Sequence, residues 1–117
     1  MKITIDELQA YLTDHYGGRA NEQGMFMKLV EEMGETAEIL NMRAGRKTDD
    51  GSDLNYRLGV ELADIIHYAM AIAAINGINM NDVIIEKDKS AAVKYKHRTN
   101  LEDFVRARRE TLPQEKE

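Results

Sequence analysis

Residues 58–75 read LGVELADIIHYAMAIAAI, a run that is apolar almost all the way round a helix. The helix that this run predicts begins after Ser52 or Asp53, either of which can cap it, and continues to Asn76. Gly77 then supplies the left-handed residue that commonly ends a helix. Because a helix that is apolar all round must be covered on all sides, the run predicts the central helix of an all-α fold. Its main apolar face consists of Leu58, Leu62, Ile65, Ala69 and Ile72.

Four further helices are expected around the central one. The first follows a capping-box pattern formed by Thr4 and Glu7, and two consecutive glycines end it. The second carries a regular apolar face and reaches about Met42, and the fifth is capped by Asn100. The apolar face of the second helix consists of Phe26, Leu29, Val30, Met33, Ala37 and Leu40. The first, fourth and fifth helices are expected over residues 5–16, 81–97 and 101–110.

The composition favours a single helical domain, with residues 1–110 as the domain and residues 111–117 as a C-terminal tail. The 117 residues include one proline, two phenylalanines and five tyrosines, so the signals of a β-sandwich or barrel are missing. The chain has no cysteine, which excludes disulfides, thiolate metal sites and cysteine nucleophiles.

The charge and hydropathy patterns narrow the partners that we expect. A net charge of −5 argues against a protein that coats nucleic acid. The N-terminus has no apolar signal core and the most apolar stretch, residues 65–75, is too short to span a bilayer, so we expect a cytoplasmic protein without a membrane partner.

Both central helices have apolar residues outside their main faces. We therefore predict an antiparallel bundle of four to five helices, whose four-helix core is completed by oligomerisation as a homodimer or homotetramer.

Three glutamates, Glu31, Glu32 and Glu35, stand within five positions of the second helix. A solvated acidic face is the simplest interpretation of such a run. Carboxylates one turn apart nevertheless repel each other, by about 0.2–0.5 kcal/mol per pair, unless a cation lies between them. Glu61 and Asp64 make a bound cation the favoured interpretation over a solvated face. Both stand in the apolar central run, where an ionised carboxylate must be paired or coordinate a metal.

The acidic residues of the two helices are therefore candidate metal ligands. Two antiparallel helices would bring their side chains together, and a site made only of oxygen atoms suits Mg²⁺ or Mn²⁺ rather than zinc or copper. The expected ligands are Glu32, Glu35, Glu61 and Asp64.

The two acidic motifs, EExxE at residues 31–35 and ExxD at residues 61–64, resemble those of the all-α MazG-type nucleotide pyrophosphohydrolases. The LVEEMGE context, the apolar run after Asp64 and Tyr68 one turn beyond it are also similar to that family, so the resemblance covers roughly residues 25–98. On the fourth helix the family pattern is matched by Lys87, Lys94 and Tyr95, whereas Ala91 stands where such enzymes commonly have an asparagine.

The resemblance implies Mg²⁺-dependent hydrolysis of a canonical or non-canonical nucleoside triphosphate to the monophosphate and pyrophosphate, a nucleotide-pool house-cleaning activity. The catalytic glutamates would be Glu31, Glu32 and Glu35. Glu31 would either bind a second cation or orient and deprotonate a water, and the sequence leaves both roles open.

Three further side chains are expected to contact the substrate. The family pattern indicates Lys94 for the polyphosphate and Tyr68 for stacking on the base or sugar. Lys28 is a second candidate for the polyphosphate because it lies one turn before Glu32.

Other functions fit parts of the same pattern. Hydrolysis of phosphoribosyl-ATP is a related Mg²⁺-dependent release of pyrophosphate from clustered acids. A di-iron carboxylate bundle would need two motifs like Asp64-Ile-Ile-His67, and the sequence has one. A non-catalytic helical metal-binding or regulatory module is the alternative of a different class.

Overall fold

The computed structural model describes residues 1–18 and 21–112. Over these ranges the chain folds into five helices and has no strand, which confirms the predicted all-α class. The oligomeric four-helix core stays a prediction. Thr111 of the expected tail belongs to the last helix, and residues 113–117 lie outside the described residues. The helices are α1 (Ile5–Tyr16), α2 (Glu22–Arg43), α3 (Leu54–Ile75), α4 (Met80–Lys94) and α5 (Leu101–Thr111).

Local capping groups explain where most helices begin and end. The Thr4 hydroxyl accepts a hydrogen bond from the backbone N–H of Glu7, whose carboxylate accepts one from the backbone N–H of Thr4, as predicted. The Asp53 carboxylate accepts a hydrogen bond from the backbone N–H of Tyr56 at the start of α3. Beyond the other end of α3, Gly77 adopts the expected left-handed conformation with a φ of 65°.

The predicted end of the fourth helix, at residue 97, is wrong by three residues, because α4 ends at Lys94. Lys96 adopts a left-handed conformation with a φ of 56°, and the backbone N–H of His97 donates to the carbonyl of Ala92 at 2.9 Å. This arrangement closes the helix in the way that a glycine usually does. Since no glycine marks the position, the sequence pattern does not reveal it.

The packing centres on α3. α2 and α3 form an antiparallel pair, in which the Asn76 amide donates to the Glu22 carboxylate at 2.6 Å and so joins the end of α3 to the start of α2. α1 packs against α3, α4 packs against α1, and α5 packs against α4. The main cluster of buried side chains joins α1, α2 and α3 and consists of Leu12, Met25, Met70, Ala71 and Ala74.

The side of α2 that packs against α3 is not its regular apolar face. Met25, Ile39 and Met42 are buried, and all three lie outside the face that periodicity defines. Met25 and Ile39 stand seven residues to either side of Glu32, so Glu32 lies on the same seam of contact. The large side chains of the regular face that remain exposed are Phe26, Val30, Met33 and Leu40.

Candidate metal centre

Three of the four predicted metal ligands meet between α2 and α3. Glu32 lies on α2, and Glu61 and Asp64 lie one turn apart on α3. One carboxylate oxygen from each of the three lies within 4.8 Å of the others, and all three residues are half-buried. Glu32 lies on the side of α2 that faces α3, seven residues from the buried Met25 and Ile39, and i, i+3 spacing places Glu61 and Asp64 on one side of α3. The three carboxylates therefore meet at one point of the antiparallel pair.

Glu61 is the most perturbed carboxyl group of this cluster. Its Oε2 atom is buried and has no hydrogen-bond partner among the described residues. The adjacent Glu32 carboxylate, which would accept a hydrogen bond from the protonated form, is the main cause that raises the pKa of Glu61 to about 7. Burial and the Glu35 carboxylate raise this pKa further. A proton or a cation is needed to neutralise the site.

Glu35, the fourth predicted ligand, lies beside this trio without joining it. It raises the pKa of Glu61 through hydrogen bonding and charge repulsion, so its carboxylate is close, but its side chain is exposed. Glu35 is therefore an exposed carboxylate close to Glu61.

Lys28 and Glu31 form an exposed ion pair at the same side of α2. The Lys28 ammonium lies 3.4 Å from Oε2 of Glu31. Hydrogen bonding to Glu31, the charge of Glu31 and the nearby Tyr68 all raise the pKa of Lys28. Two predicted substrate contacts, Lys28 and Tyr68, therefore lie close to each other and to the glutamate whose role the sequence left open.

Two aromatic residues, His67 and Tyr68, follow Asp64 by one turn on α3, and Tyr16 of α1 contacts His67. The Tyr16 hydroxyl of α1 forms a 2.6 Å hydrogen bond with Nε2 of His67, whose ring centroid lies 5.0 Å from that of Tyr68. Burial is the main cause that raises the pKa of Tyr16. Neither Tyr16 nor this role of His67 was predicted. The sequence offers one indication that His67 lies near the acids: it follows Asp64 by three residues on α3, and therefore lies on a similar side of the helix.

Lys94 lies on a different part of the chain from the acid cluster. It is the last residue of α4, which packs against α1 and α5, and its ammonium lies 5.3 Å from the ring centroid of Tyr95. Within the described residues of one chain, the structure does not place Lys94 beside Lys28 or Tyr68. Its contact with substrate stays a prediction.

The donor set fits a hard divalent cation. All the converging atoms are carboxylate oxygens, and the unpartnered Oε2 atom of Glu61 needs a positive partner. Repulsion among the neighbouring carboxylates raises the pKa of Glu61, and a bound cation would offset that repulsion.

No protein-family model matches this chain, and comparisons with curated proteins and with solved structures give no match. The interpretation of the acid cluster therefore rests on its own residues, on their geometry and on the order of the two acidic motifs.

Proposed function

We propose that this protein is a Mg²⁺-dependent nucleoside triphosphate pyrophosphohydrolase that releases the monophosphate and pyrophosphate. The observation that carries the proposal is the convergence of Glu32, Glu61 and Asp64 within 4.8 Å, with one buried Glu61 oxygen left without a partner. The order of the EExxE and ExxD motifs supports this chemistry rather than a general cation site.

The residues divide into those that hold the cation and those that handle substrate. Glu32, Glu61 and Asp64 would hold the cation, and Glu35, which lies close to Glu61, would complete the set. When bound, Mg²⁺ neutralises polyphosphate charge and polarises the scissile phosphate. Mn²⁺ prefers the same oxygen donors and should replace it.

Glu31 is the proposed general base. Glu31 stands one residue before Glu32 of the cluster, its carboxylate is exposed, and the Lys28 ammonium lies 3.4 Å from it and orients it. In the reaction the water oxygen bonds to phosphorus, the anhydride bond between the α and β phosphates breaks, and the proton passes to Glu31. Pyrophosphate then leaves, and the water proton is later returned to solvent.

Lys28 and Tyr68 are the proposed substrate contacts of this site. The Lys28 ammonium has three hydrogen-bond donors, so it can contact a phosphate while it stays paired with Glu31. Tyr68, one turn beyond Asp64, offers an aromatic ring to the base or sugar.

A screen of nucleoside triphosphates with Mg²⁺ or Mn²⁺ tests the proposal. We expect pyrophosphate and monophosphate from at least one nucleotide, and none without a divalent cation. Asp64→Asn should abolish the release. Glu86→Gln is the matched control, because Glu86 is an exposed carboxylate on α4, and it should leave the activity unchanged. Phosphoribosyl-ATP belongs in the same screen as a substrate with the same scissile bond.

A non-catalytic metal site is the second candidate, because Glu32 and Glu61 come from the two helices of the central pair. A cation held between them would join α2 to α3. Mg²⁺-dependent thermal stabilisation without turnover of any nucleotide would favour that function and contradict the enzyme.

A further inference from the structure

The arginine and both acids of α3 lie along one line of the helix. They are Arg57, Glu61 and Asp64, and Tyr68 continues the line one turn further. At 100° per residue, the four positions fall within about 60° of one another. Because Glu61 and Asp64 belong to the acid cluster, Arg57 lies on the same side of α3 as the candidate metal centre, one turn before Glu61.

The remainder of α3 is strongly apolar. By length and composition, α3 is the one described helix that could cross a membrane. Its line of charges and its packing between α1 and α2 favour the central helix of a soluble domain instead. Charged residues are therefore few on α3, and all of them are collected on the side of the candidate metal centre.

The loop between α2 and α3 holds the Arg57 guanidinium in place. Its Nη1 atom donates to Oδ2 of Asp50 at 2.7 Å and to the hydroxyl of Ser52 at 2.8 Å. Hydrogen bonds from Ser52 are the main cause that lowers the pKa of Asp50 to about 2, and Arg57 lowers it further. Both Arg57 bonds use Nη1, and a guanidinium has five N–H donors, so Arg57 can contact a second anion while it stays paired with Asp50.

A second cation, Lys47, lies near Arg57 at the same end of the α2–α3 pair. Its ammonium pairs with the Glu38 carboxylate of α2. Hydrogen bonding to Lys47 and the charge of Lys47 lower the pKa of Glu38, and the charge of Arg57 lowers it further, so both cations are near Glu38. Glu38 follows Glu35 by one turn of α2. Lys47 and Arg57, here called the cationic pair, therefore lie beyond the acids on the side of the connecting loop.

Tyr68 and Lys28 lie beyond the acids in the opposite direction. Tyr68 follows Asp64 by four residues, whereas Arg57 precedes Asp64 by seven. The rise of an α-helix separates Tyr68 from Arg57 by about 16 Å along α3, with the acids between them. A nucleoside triphosphate extends in two directions from its scissile bond. If Tyr68 takes the base or sugar, the terminal phosphates point toward Arg57.

The charges of the site call for cations in addition to one Mg²⁺. A single divalent cation does not neutralise all the acids near it, and the pyrophosphate that leaves is itself a strongly charged anion. Guanidinium and ammonium groups close to the acids would offset this repulsion and hold the leaving group. The acids concerned are Glu32, Glu35, Glu61 and Asp64.

We propose that Arg57 and Lys47 bind the pyrophosphate end of the substrate, so that the polyphosphate lies along the acids with its terminal phosphates toward the α2–α3 loop. This inference rests on the proposed hydrolysis between the α and β phosphates. Asp50 keeps the guanidinium in place, and the remaining donors of Arg57 contact phosphate oxygens. Because the cationic pair contacts phosphates rather than the base, it selects nucleotides by the length of their phosphate chain.

Calorimetric titration with inorganic pyrophosphate and with a nucleoside monophosphate, both in the presence of Mg²⁺, tests this inference. Arg57→Gln should weaken pyrophosphate binding by at least about tenfold, because it removes charged hydrogen-bond donors, and should leave monophosphate binding within about twofold. Lys47→Gln should show the same selective loss, which keeps the inference testable if Arg57→Gln does not fold. Arg106→Gln is the matched control, because Arg106 pairs with a carboxylate on α5, and it should bind both ligands as the native chain does.

Two further variants separate the charge of Arg57 from the structure of the loop. Asp50→Asn breaks the same ion pair but keeps the arginine, so pyrophosphate affinity should change by no more than about threefold. Arg57→Lys should recover part of the affinity that Arg57→Gln loses, because it restores the charge with fewer donors.

Three results would overturn the inference: equal losses of pyrophosphate affinity in Asp50→Asn and Arg57→Gln, equal losses of pyrophosphate and monophosphate binding in Arg57→Gln, or a native chain that binds no pyrophosphate. Because these titrations need no turnover, they decide the inference separately from the proposed activity. A native chain that binds pyrophosphate through Arg57 but hydrolyses no nucleotide would contradict the proposed activity alone.

Discussion

Glu61→Gln should stabilise the metal-free protein and weaken its response to Mg²⁺. In the native chain, the Glu61 carboxylate meets Glu32 and Asp64 within 4.8 Å, and its pKa is raised from 4.5 to about 7. Glutamine keeps the shape, carries no charge and can donate a hydrogen bond to Glu32 as protonated Glu61 does. The substitution therefore removes the repulsion and also removes one ligand of the cation.

The magnitude of the stabilisation depends on pH in a defined direction. A raised pKa means that the folded state holds the proton more tightly than the unfolded state, so the metal-free protein loses stability as pH rises from about 4.5 to about 7. At pH 8 the full shift corresponds to roughly 3 kcal/mol, and solvent screening of the partly exposed residue reduces this to about 1–2 kcal/mol. Glu61→Gln should recover that amount, about 5–10 °C in Tm.

Thermal unfolding of both proteins from pH 5 to pH 8, with and without Mg²⁺, measures these effects. Without Mg²⁺ the two Tm values should coincide at pH 5 and diverge as pH rises, with Glu61→Gln the more stable. Mg²⁺ should stabilise the native chain, whereas its affinity for Glu61→Gln should fall by at least about tenfold, which is about 1.4 kcal/mol. Glu86→Gln should behave as the native chain. A metal-free Glu61→Gln that is less stable at pH 8 would refute the reasoning.

Three other results are expected. Glu35→Gln and Asp64→Asn should each lower pyrophosphate release by at least about 100-fold with an unchanged far-ultraviolet circular dichroism spectrum; full activity in both would mean that the acids form a solvated face. Binding of Mg²⁺ at pH 7 should release about half a proton per site, because the pKa of Glu61 is about 7. The binding enthalpy measured by calorimetry should therefore depend on the ionisation enthalpy of the buffer, and it would not depend on it if Glu61 were already ionised. Tyr16→Phe should cost about 1 kcal/mol in urea unfolding because it removes the hydrogen bond to His67, and unchanged stability would show that this bond contributes nothing.

The sequence predicts those features of the fold that depend on neighbouring residues. Thr4 and Glu7 specify the start of α1 by themselves, and Asp53 and Gly77 bound α3. The left-handed Lys96 shows the limit of this approach, because its conformation follows from backbone bonds at the end of α4 rather than from its residue type.

The candidate site is predictable to the extent that helix spacing determines it. Glu61 and Asp64 share one side of α3 because they are three residues apart, and an antiparallel partner brings Glu32 to them. The hydrogen bond between Tyr16 and His67 joins residues far apart in the sequence, and no local pattern reveals it.

Periodicity is least informative about which element covers which surface. The regular apolar face of α2 is evident from the sequence, yet the structure buries Met25 and Ile39 from outside that face and leaves Met33 exposed. A pattern of apolar residues shows that a surface must be covered, but not whether the same chain covers it.

Phosphorus NMR of a nucleoside triphosphate incubated with the protein and Mg²⁺ tests the proposed activity most directly. The proposed cation site and Glu31 predict equal amounts of nucleoside monophosphate and pyrophosphate, with no orthophosphate and no products when the divalent cation is chelated. Nucleoside diphosphate with orthophosphate, or intact substrate throughout a panel of nucleotides at saturating Mg²⁺, would contradict it.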